Sequence, residues 1–501
     1  MTTVLCTDAY KFSMASAGYP LRRETFYYAH RKGGWQYLPV DVEAFIRENL
    51  PARVSELSTE DRDFLKSYGY FVDDATSAAF GSVLEVEALP RGSWFYDREP
   101  VFSVTGPSAL VSWREPLILQ LNYRIQAATT ALLDTDRFHE RTPALTCDRE
   151  REIVEETLDA IGMEGPNFTV DTAGYQRAVV NRARELVSIV GDTGRIFEVG
   201  LRAVSCVEQH ELALEVIREA GITRTSNAAG ARKLAMVPVG TMGHEHIQRH
   251  GSDYAAFTAM RDRVRGFKFY LPDTFDTMAS GIPAAIAAMQ ETGLTGGIRF
   301  DSEHGIVGHY LYAVNRAREA GITPVLALES GWNAELTRKF EGLREACGWS
   351  AESQRYGFGG YLVRPPWAHF GRDDVSAVWK ISQTGSRATM KFGDEPMGGK
   401  SSIPGKPVVW RPRLGSADHR GPVGYIAQMG EDWAPPDGAV RLSGAGKVPQ
   451  EVRFSAREIR DFTNRGFAPA ALSPATRALI ERCTAERDEG IARALSLSRR
   501  S

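Results

Sequence analysis

The chain has 501 residues, of which 43% are hydrophobic and 25% are charged, and its formal net charge is −3. These values are typical of a globular protein long enough for two or three domains. The slightly negative charge gives no general attraction to nucleic acid or to an anionic membrane, and no apolar run reaches the ~18 residues that a membrane-spanning helix needs. We therefore expect neither nucleic acid nor a membrane among its partners.

The cysteines and the first residues indicate the compartment. The cysteines are scattered and odd in number, and none forms a C-x-x-C pair: Cys6, Cys147, Cys206, Cys347 and Cys483. The sequence MTTVLCTDAYKFSM lacks the basic and apolar regions of a secretory signal. We therefore expect reduced thiols, no zinc site and a cytoplasmic protein.

The N-terminal 130 residues differ from the middle of the chain. They are rich in aromatic and β-branched residues, as at Phe26–Tyr28, Trp94–Tyr96 and Val101–Val104, and a helix is expected near Leu117–Ala131. This composition predicts a separate α/β or β-rich layer. Residues 131–190 are charged and are expected to be helical.

The middle of the chain alternates short apolar runs with amphipathic segments. Helices are expected at Ser205–Ala220, Ile306–Ala320 and Ala334–Cys347. Eight strands are expected: Ile196–Leu201, Ile222–Thr225, Ala235–Val239, Phe267–Leu271, Gly297–Phe300, Pro324–Leu328, Gln354–Gly359 and Val375–Ile381. Alternating β and α units imply a parallel sheet, and eight in a row predict an irregular α/β barrel of the TIM type.

Polar residues collect where these strands end. They are Glu198, Arg202, Ser226, Asn227, Thr241, His244, Asp273, Asp276, Arg299, Asp301, Ser302 and Ser330. In a barrel these ends converge on one face, where catalytic groups lie. The alternative is that the Asp, Ser and Asn residues are helix N-caps. That alternative does not explain an arginine, a histidine and paired aspartates together.

The segment Val237–Gln248 is the most informative stretch. It reads as an apolar strand, a turn with Gly240 and Thr241, and then His244 followed by a carboxylate. Such a strand end can deliver a nucleophile or a proton carrier to the mouth of a barrel. A lone histidine in this position is more often structural, so its neighbours along the chain decide the interpretation.

A series of short motifs surrounds it. In chain order they are TDAYKFSM (Thr7–Met14), EVGLR (Glu198–Arg202), TSN (Thr225–Asn227), GTMGHE (Gly240–Glu245), LPDTFDT (Leu271–Thr277), IRFDSEH (Ile298–His304), YGFGGYL (Tyr356–Leu362) and MKFGDEP…GKSSIPGKPVVWR (Met390–Arg411). From about residue 5 to 411 this ordered set resembles the nicotinate phosphoribosyltransferase family, which has a type II phosphoribosyltransferase fold.

The resemblance implies a reaction of pyridine-nucleotide salvage. Nicotinate attacks the anomeric carbon of 5-phosphoribosyl-1-pyrophosphate and gives nicotinate mononucleotide and pyrophosphate. His244 matches the histidine that ATP phosphorylates in the family, so ATP is an expected co-substrate. A nucleophilic histidine needs a neutral nitrogen and a carboxylate that fixes its tautomer, and Glu198, Asp273 and Asp301 are the candidates.

The resemblance also assigns the nicotinate site. Tyr10 matches a tyrosine that stacks on the nicotinate ring from the neighbouring subunit, which implies a homodimer with shared active sites. Arg299 matches the arginine that meets the nicotinate carboxylate, a role that its planar fork suits. Thr241 matches a nicotinate-contacting threonine. Arg202 matches the first of two phosphate-binding arginines in the family, and Ala203 stands in place of the second.

The phosphate groups need backbone N–H groups and cations. Gly357, Gly359 and Gly360 predict a turn that a phosphate can approach closely, although GFGG alone is more often an ordinary tight turn. Asp273, Asp301 and Ser302 are further expected substrate contacts. Mg²⁺ is expected with the pyrophosphate, held by substrate oxygens and one or two carboxylates. Nearby positive charge is expected from Lys391, Lys400 and Lys406.

The chain departs from the family at three places. Glu303 and His304 stand where the family has Gly and Asp in a DSGD motif, and Gly360 stands where it has Thr. An additional stretch at 134–175 precedes EVGLR, where long insertions cost little free energy. The family implies a division into an N-terminal part of an α/β sandwich (1–130), a helical segment (131–190), the barrel (191–375), a return segment to the sandwich (376–440) and a helical tail (441–501).

Three other functions stay open. A nicotinamide phosphoribosyltransferase shares the fold and the donor. The changes at 303, 304 and 360 are also compatible with a non-catalytic paralogue that binds a pyridine nucleotide. A barrel enzyme for another sugar phosphate would leave the TDAYKFSM motif without a role.

Overall fold

The structure is a computed structural model that describes residues 4–48, 57–293, 296–392, 400–413, 421–465 and 467–498. Residues 393–399 of the last sequence motif lie outside this range. The strands are β1 (Arg23–His30), β2 (Gln36–Tyr37), β3 (Glu85–Ala88), β4 (Trp94–Phe95), β5 (Phe102–Pro107), β6 (Ile196–Glu198), β7 (Arg224–Thr225), β8 (Val237–Pro238), β9 (Phe269–Tyr270), β10 (Gly297–Phe300), β11 (Val325–Leu328), β12 (Gln354–Phe358), β13 (Ala377–Thr384), β14 (Arg387–Ala388), β15 (Pro407–Arg411), β16 (Tyr425–Gln428), β17 (Val440–Arg441) and β18 (Ala471–Leu472).

The α-helices alternate with these strands in the middle of the chain. They are α1 (Tyr10–Ala17), α2 (Val42–Glu48), α3 (Thr59–Ser67), α4 (Asp74–Ala79), α5 (Ser108–Trp113), α6 (Glu115–Leu119), α7 (Leu121–Leu133), α8 (Thr135–Arg141), α9 (Asp148–Ala160), α10 (Thr172–Val190), α11 (Val207–Glu219), α12 (Ala228–Leu234), α13 (His244–His250), α14 (Asp253–Arg263), α15 (Ile282–Gln290), α16 (Ile306–Glu319), α17 (Ala334–Ala346), α18 (Gly360–Val363), α19 (Arg372–Val375), α20 (Ala456–Arg465) and α21 (Pro474–Ser498). Within the described ranges, no helix has the length and apolar character to cross a membrane.

Seven parallel strands form the central sheet in the order β8-β7-β6-β12-β11-β10-β9. The first strand in sequence, β6, pairs with the last, β12, so the sheet curls toward a barrel. Between β8 and β9 the hydroxyl of Thr241 donates to the carbonyl of Phe269 (2.8 Å) and accepts from its N–H (3.0 Å). The predicted α/β class is confirmed.

The apolar residues of these strands form the hydrophobic core around the sheet. All four residues of β11 are buried, as expected when helices cover one face and the barrel interior lies on the other. Helices α16 and α17 turn an apolar face inward, where Tyr310 and Phe340 pack edge to face with ring centroids 5.4 Å apart.

The eighth expected barrel strand, Val375–Ile381, is not part of this sheet. It lies in β13, which pairs antiparallel with β1 in a five-stranded sheet of order β14-β13-β1-β5-β3. The prediction was wrong because a short buried apolar run reads alike in a parallel and in an antiparallel sheet. Seven of the eight residues of β1 are buried, so this sheet is covered on both faces.

Residues beyond β14 form a further small sheet, of order β17-β15-β16-β18. Its last strand comes from the C-terminal tail, so part of the expected return segment pairs with that tail. The stretch at 134–175 contains α8 and α9, which bury Phe138, Val154 and Leu158 in a local apolar cluster.

Candidate active site

A cavity of about 630 Å³ lies where the carboxyl ends of the parallel strands face the five-stranded sheet. Both parts of the protein contribute to its wall. Among its lining residues are Tyr10, Arg31, Arg202, His244, Arg299, Asp301, Glu329, Gly359, Gly360, Lys380, Lys391 and Lys400. The sequence therefore placed most of its candidate residues around one space.

His244 begins α13 directly after Gly243, whose backbone is extended. Its Nε2 lies 2.9 Å from Oδ1 of Asp273 and 2.6 Å from Nζ of Lys391. Lys391 also donates to Oδ2 of Asp273 at 3.1 Å. The three side chains form a compact triad at the cavity wall.

The protonation of this triad follows from its burial. Burial and the nearby ammonium of Lys391 lower the pKa of His244 to about 4. Burial would raise the pKa of Asp273, but Lys391 and His244 outweigh it and hold that pKa well below its usual range. His244 is therefore neutral at physiological pH beside an ionised Asp273. The hydrogen bonds that the ring makes to described residues fall on Nε2, so Nδ1 is the nitrogen open to a new bond.

The structure separates the three carboxylates proposed to orient this histidine. Asp273 contacts the ring directly, whereas Oδ2 of Asp301 lies 3.9 Å from Nε2. Glu198 instead contacts Nε2 of His210 at 2.9 Å inside the barrel. Ser302 donates to Oδ2 of Asp273 at 2.6 Å, so it helps to orient the carboxylate whose Oδ1 contacts His244.

Tyr10 lies in the cavity of its own chain. The backbone N–H of Ala9 donates to the carbonyl of Ser226 at 2.7 Å, and Asp8 forms a β-bridge with Asn227. A Cβ at Gly240 would come within 3.1 Å of Tyr10, so only glycine lets the ring pack so closely. Within one chain the N-terminal segment therefore pairs with its own barrel, and the expected contribution of this tyrosine to a neighbouring subunit stays a prediction.

Arg299 extends from β10 toward the same ring. Its guanidinium lies 6.0 Å from the centroid of Tyr10, and its Nε has no hydrogen-bond partner in the described part of the chain. The nearest carboxylate contact is Oε2 of Glu329, 3.9 Å from Nε. A buried guanidinium whose nearest carboxylate lies beyond hydrogen-bond distance is suited to receive an anionic ligand.

Two expected substrate contacts are engaged elsewhere. Arg202 lies 3.2 Å from Asp8 and 3.4 Å from Glu115, so its charge is balanced by protein carboxylates. The Thr241 hydroxyl bonds to the backbone of Phe269 at the open edge of the sheet. Its side chain lines a smaller inner chamber that it shares with Tyr10 and Arg299.

Four basic side chains line the cavity: Arg31, Lys380, Lys391 and Lys400. Burial, together with Arg31 and Lys391, lowers the pKa of Lys380 well below its usual range. Burial likewise lowers the pKa of Arg31 to about 10. Neighbouring buried cations repel one another, and an anion such as phosphate relieves that repulsion. Lys406, expected here, is not among the residues that line the cavity.

The glycine turn and one of the departures from the family sequence, Glu303, lie in the cavity wall. Gly359 and Gly360 line the cavity, and a Cβ at Gly360 would lie 3.2 Å from Asp373. Glu303 also lines it, whereas His304 lies on an exposed turn outside the lining. His304 therefore does not contribute to the cavity wall.

The helix-cap alternative holds for two of the polar strand-end residues. Asn227 accepts from the N–H of Gly230 at 3.1 Å, and Asp276 accepts from those of Met278 and Ala279. Both side chains therefore stabilise helix starts.

The residues that sequence reasoning missed are the buried charges. Lys11 donates to Glu115 (2.7 Å) and to Glu245 (2.8 Å). Arg31 and Lys380 come from the antiparallel sheet, and Glu329 follows β11 directly. The only sequence signal for Glu329 is a carboxylate at the end of four apolar residues.

Comparisons with known proteins bear on the family resemblance and on the fold. No family model matches the chain. A nicotinate phosphoribosyltransferase of Bacillus subtilis (strain 168) is 26% identical over 273 residues, or 52% of this chain and 52% of that protein. The match thus spans about half the length of that relative. Nicotinate phosphoribosyltransferase 2 of Arabidopsis thaliana is 25% identical over 447 residues, or 82% of this chain and 74% of that protein.

A solved structure shows the same fold. The nicotinate phosphoribosyltransferase of Porphyromonas gingivalis superimposes with a TM-score of 0.56 over 80% of this chain and 96% of that one, at 16% identity. The resemblance that the sequence motifs indicate is confirmed.

Proposed function

We propose that this chain, which resembles the nicotinate phosphoribosyltransferases in sequence and in fold, is itself a nicotinate phosphoribosyltransferase coupled to ATP hydrolysis. The single observation that carries the proposal is the placement of neutral His244, with its carboxylate partner, in the same cavity as Arg299 and a cluster of cations. The carboxylate-binding and phosphate-binding groups serve the phosphoribosyl transfer, and the nucleophile serves its coupling to ATP.

The base would bind between Arg299 and Tyr10. A planar guanidinium holds a carboxylate through two parallel hydrogen bonds. An aromatic ring beside it contributes roughly 0.5–1.5 kcal/mol through stacking. Both groups lie near Glu329 at the inner end of the cavity. The pyridine nitrogen would then point outward, toward the cation cluster.

The donor would lie across the cavity mouth. Arg31, Lys380 and Lys400 would contact its phosphate oxygens, and the turn at Gly359 and Gly360 leaves the backbone accessible. Positive charge around the pyrophosphate stabilises the negative charge that develops as it leaves.

Mg²⁺ fits the oxygen donors at this site. Ligand atoms of His244, Asp273 and Asp301 lie within 4.8 Å of one another. Mg²⁺ prefers oxygen to imidazole nitrogen, so Asp301, with Asp273 beside it, would hold the ion together with substrate oxygens. The ion would neutralise charge on the pyrophosphate.

The coupling step uses Nδ1 of His244. Its lone pair would attack the γ-phosphorus of ATP, the bond from that phosphorus to the β,γ-bridging oxygen would break, and ADP would leave. The proton on Nε2 would stay shared with Asp273, which stabilises the positive ring. Water would later hydrolyse the phosphohistidine and release phosphate.

A chromatographic assay separates this proposal from its alternatives. The protein is incubated with phosphoribosyl pyrophosphate, Mg²⁺ and either nicotinate or nicotinamide. Turnover of nicotinate supports the proposal. Preference for nicotinamide would show that the protein is a nicotinamide phosphoribosyltransferase. Tight binding of nicotinate mononucleotide without turnover of either base would instead indicate a pyridine-nucleotide sensor.

A further inference from the structure

Glu329 is a buried carboxyl group that the proposed reaction does not yet use. It follows β11, and its side chain is only 7% exposed. It lines both the main cavity and the inner chamber, in each case together with Tyr10 and Arg299. It therefore lies where the proposed binding mode places the carboxylate substituent of the pyridine ring.

Neither Glu329 nor Arg299 is satisfied by the protein. Among the described residues the Glu329 carboxyl makes no hydrogen bond, and its closest cationic contact is Nε of Arg299 at 3.9 Å. That Nε is itself buried without a hydrogen-bond partner. Buried polar groups without partners are costly, so a pair that faces a cavity in this state is suited to a polar ligand.

The surroundings bring the pKa of this carboxyl group close to neutral pH. The charged and titratable groups near it are Arg299, Asp301, Arg202, Asp8 and Tyr10. Burial raises the pKa of Glu329 to about 7. The charges of Arg299 and Arg202 lower this pKa and those of Asp301 and Asp8 raise it, so the effect of burial prevails. Both protonation states are therefore populated near neutral pH.

We propose that Glu329 is a specificity-determining residue which, together with Arg299, reads the substituent of the pyridine ring. Protonated Glu329 donates a hydrogen bond to one carboxylate oxygen of nicotinate while Arg299 binds the other. Ionised Glu329 accepts a hydrogen bond from the amide N–H of nicotinamide, and Arg299 then donates to the amide oxygen. This inference rests on the proposed function.

The two states have opposite effects on the two bases. An ionised Glu329 places a second negative charge against the nicotinate carboxylate in a buried site, which opposes binding. The same carboxylate is a strong acceptor for an amide. As pH rises through the pKa of Glu329, affinity for nicotinate falls and affinity for nicotinamide rises.

The test is the pH dependence of base binding in the full-length protein at saturating donor. The KM for nicotinate and the competitive Ki for nicotinamide are measured from pH 6 to 9. Above about pH 7 the KM for nicotinate should rise by up to about tenfold per pH unit while the Ki for nicotinamide falls. Glu329→Gln, which donates at every pH, should make the KM for nicotinate independent of pH.

The control is Glu303→Gln, which removes a carboxylate from the same cavity wall without touching Arg299. It should retain the wild-type pH dependence. A flat KM profile in the wild type, or an unchanged slope in Glu329→Gln, would overturn the inference and leave the proposed function intact. No turnover of either base by the wild type would overturn both.

Discussion

The Nε2 atom of His244 lies 2.9 Å from Oδ1 of Asp273, and Lys391 contacts both side chains. An ionised carboxylate can only accept, so the contact with Asp273 favours the tautomer with the proton on Nε2.

The first prediction concerns this contact. In Asp273→Asn the amide can donate to Nε2 and stabilise the wrong tautomer, which places the proton on Nδ1. We expect the ATP-dependent rate to fall by roughly 100-fold, with a smaller loss of ATP-independent product formation. His244→Ala should abolish ATP coupling and leave some turnover. A His244→Ala protein whose ATP hydrolysis stays tied to product formation would rule out this role.

A second prediction follows from the lowered pKa of His244, about 4 against an ordinary value of 6.5. Protonation removes the lone pair that attacks ATP, so the neutral ring is active above its pKa. Transfer of phosphate from ATP to the enzyme should therefore persist at pH 5.5. Loss of this partial reaction with a midpoint near pH 6.5 would show that His244 is not shielded as described.

Arg299→Ala should raise the KM for nicotinate far more than that for the phosphoribosyl donor. The reason is that the guanidinium lies beside the Tyr10 ring in the smaller chamber, which the residues of the cation cluster do not line. Steady-state kinetics with each substrate varied in turn would show the difference. Arg299→Lys is the matched variant, since it keeps the charge but loses the planar fork. Equal effects on both substrates would contradict the assignment.

Tyr10 completes the cavity of its own chain, which predicts the outcome of a mixing experiment. Tyr10→Ala and His244→Ala proteins are co-refolded and assayed at low nicotinate. If each site is built from one chain, the mixture shows the mean of the two separate rates. A rate above both would mean that a subunit supplies Tyr10 to its partner's barrel.

Lys11 offers a prediction about stability. Its ammonium lies between Glu115 and Glu245, and all three side chains are largely buried. Lys11→Met leaves two buried carboxylates facing each other, so we expect a loss of about 3 kcal/mol and a lower Tm. Lys233→Met, which breaks an exposed pair with Glu211, should change stability by less than about 1 kcal/mol. Equal Tm shifts in the two variants would contradict this account.

The sequence predicted the parallel strands well because their apolar runs are short and regular. Gly297–Phe300 matches β10 in full, and Pro324–Leu328 differs from β11 by one residue. Val375–Ile381 was misplaced because periodicity does not reveal which sheet a buried strand joins.

The site was predicted less evenly. His244 and Asp273 follow strands, Arg299 lies in β10, and all three are recognisable from their motifs. Arg31 directly follows β1 and Lys380 lies in β13, so only tertiary packing brings these residues of another sheet to the cavity. The pairing of His244 with Asp273 rather than Asp301 depends on distances that no spacing in the sequence encodes.

The most direct test of the account follows both products of one reaction. Wild-type protein receives nicotinate, phosphoribosyl pyrophosphate, Mg²⁺ and ATP, and nicotinate mononucleotide and ADP are quantified over the same time course. Both products should form together, and omission of ATP should lower the yield of mononucleotide. Formation of neither product, in protein shown to be folded, would contradict it.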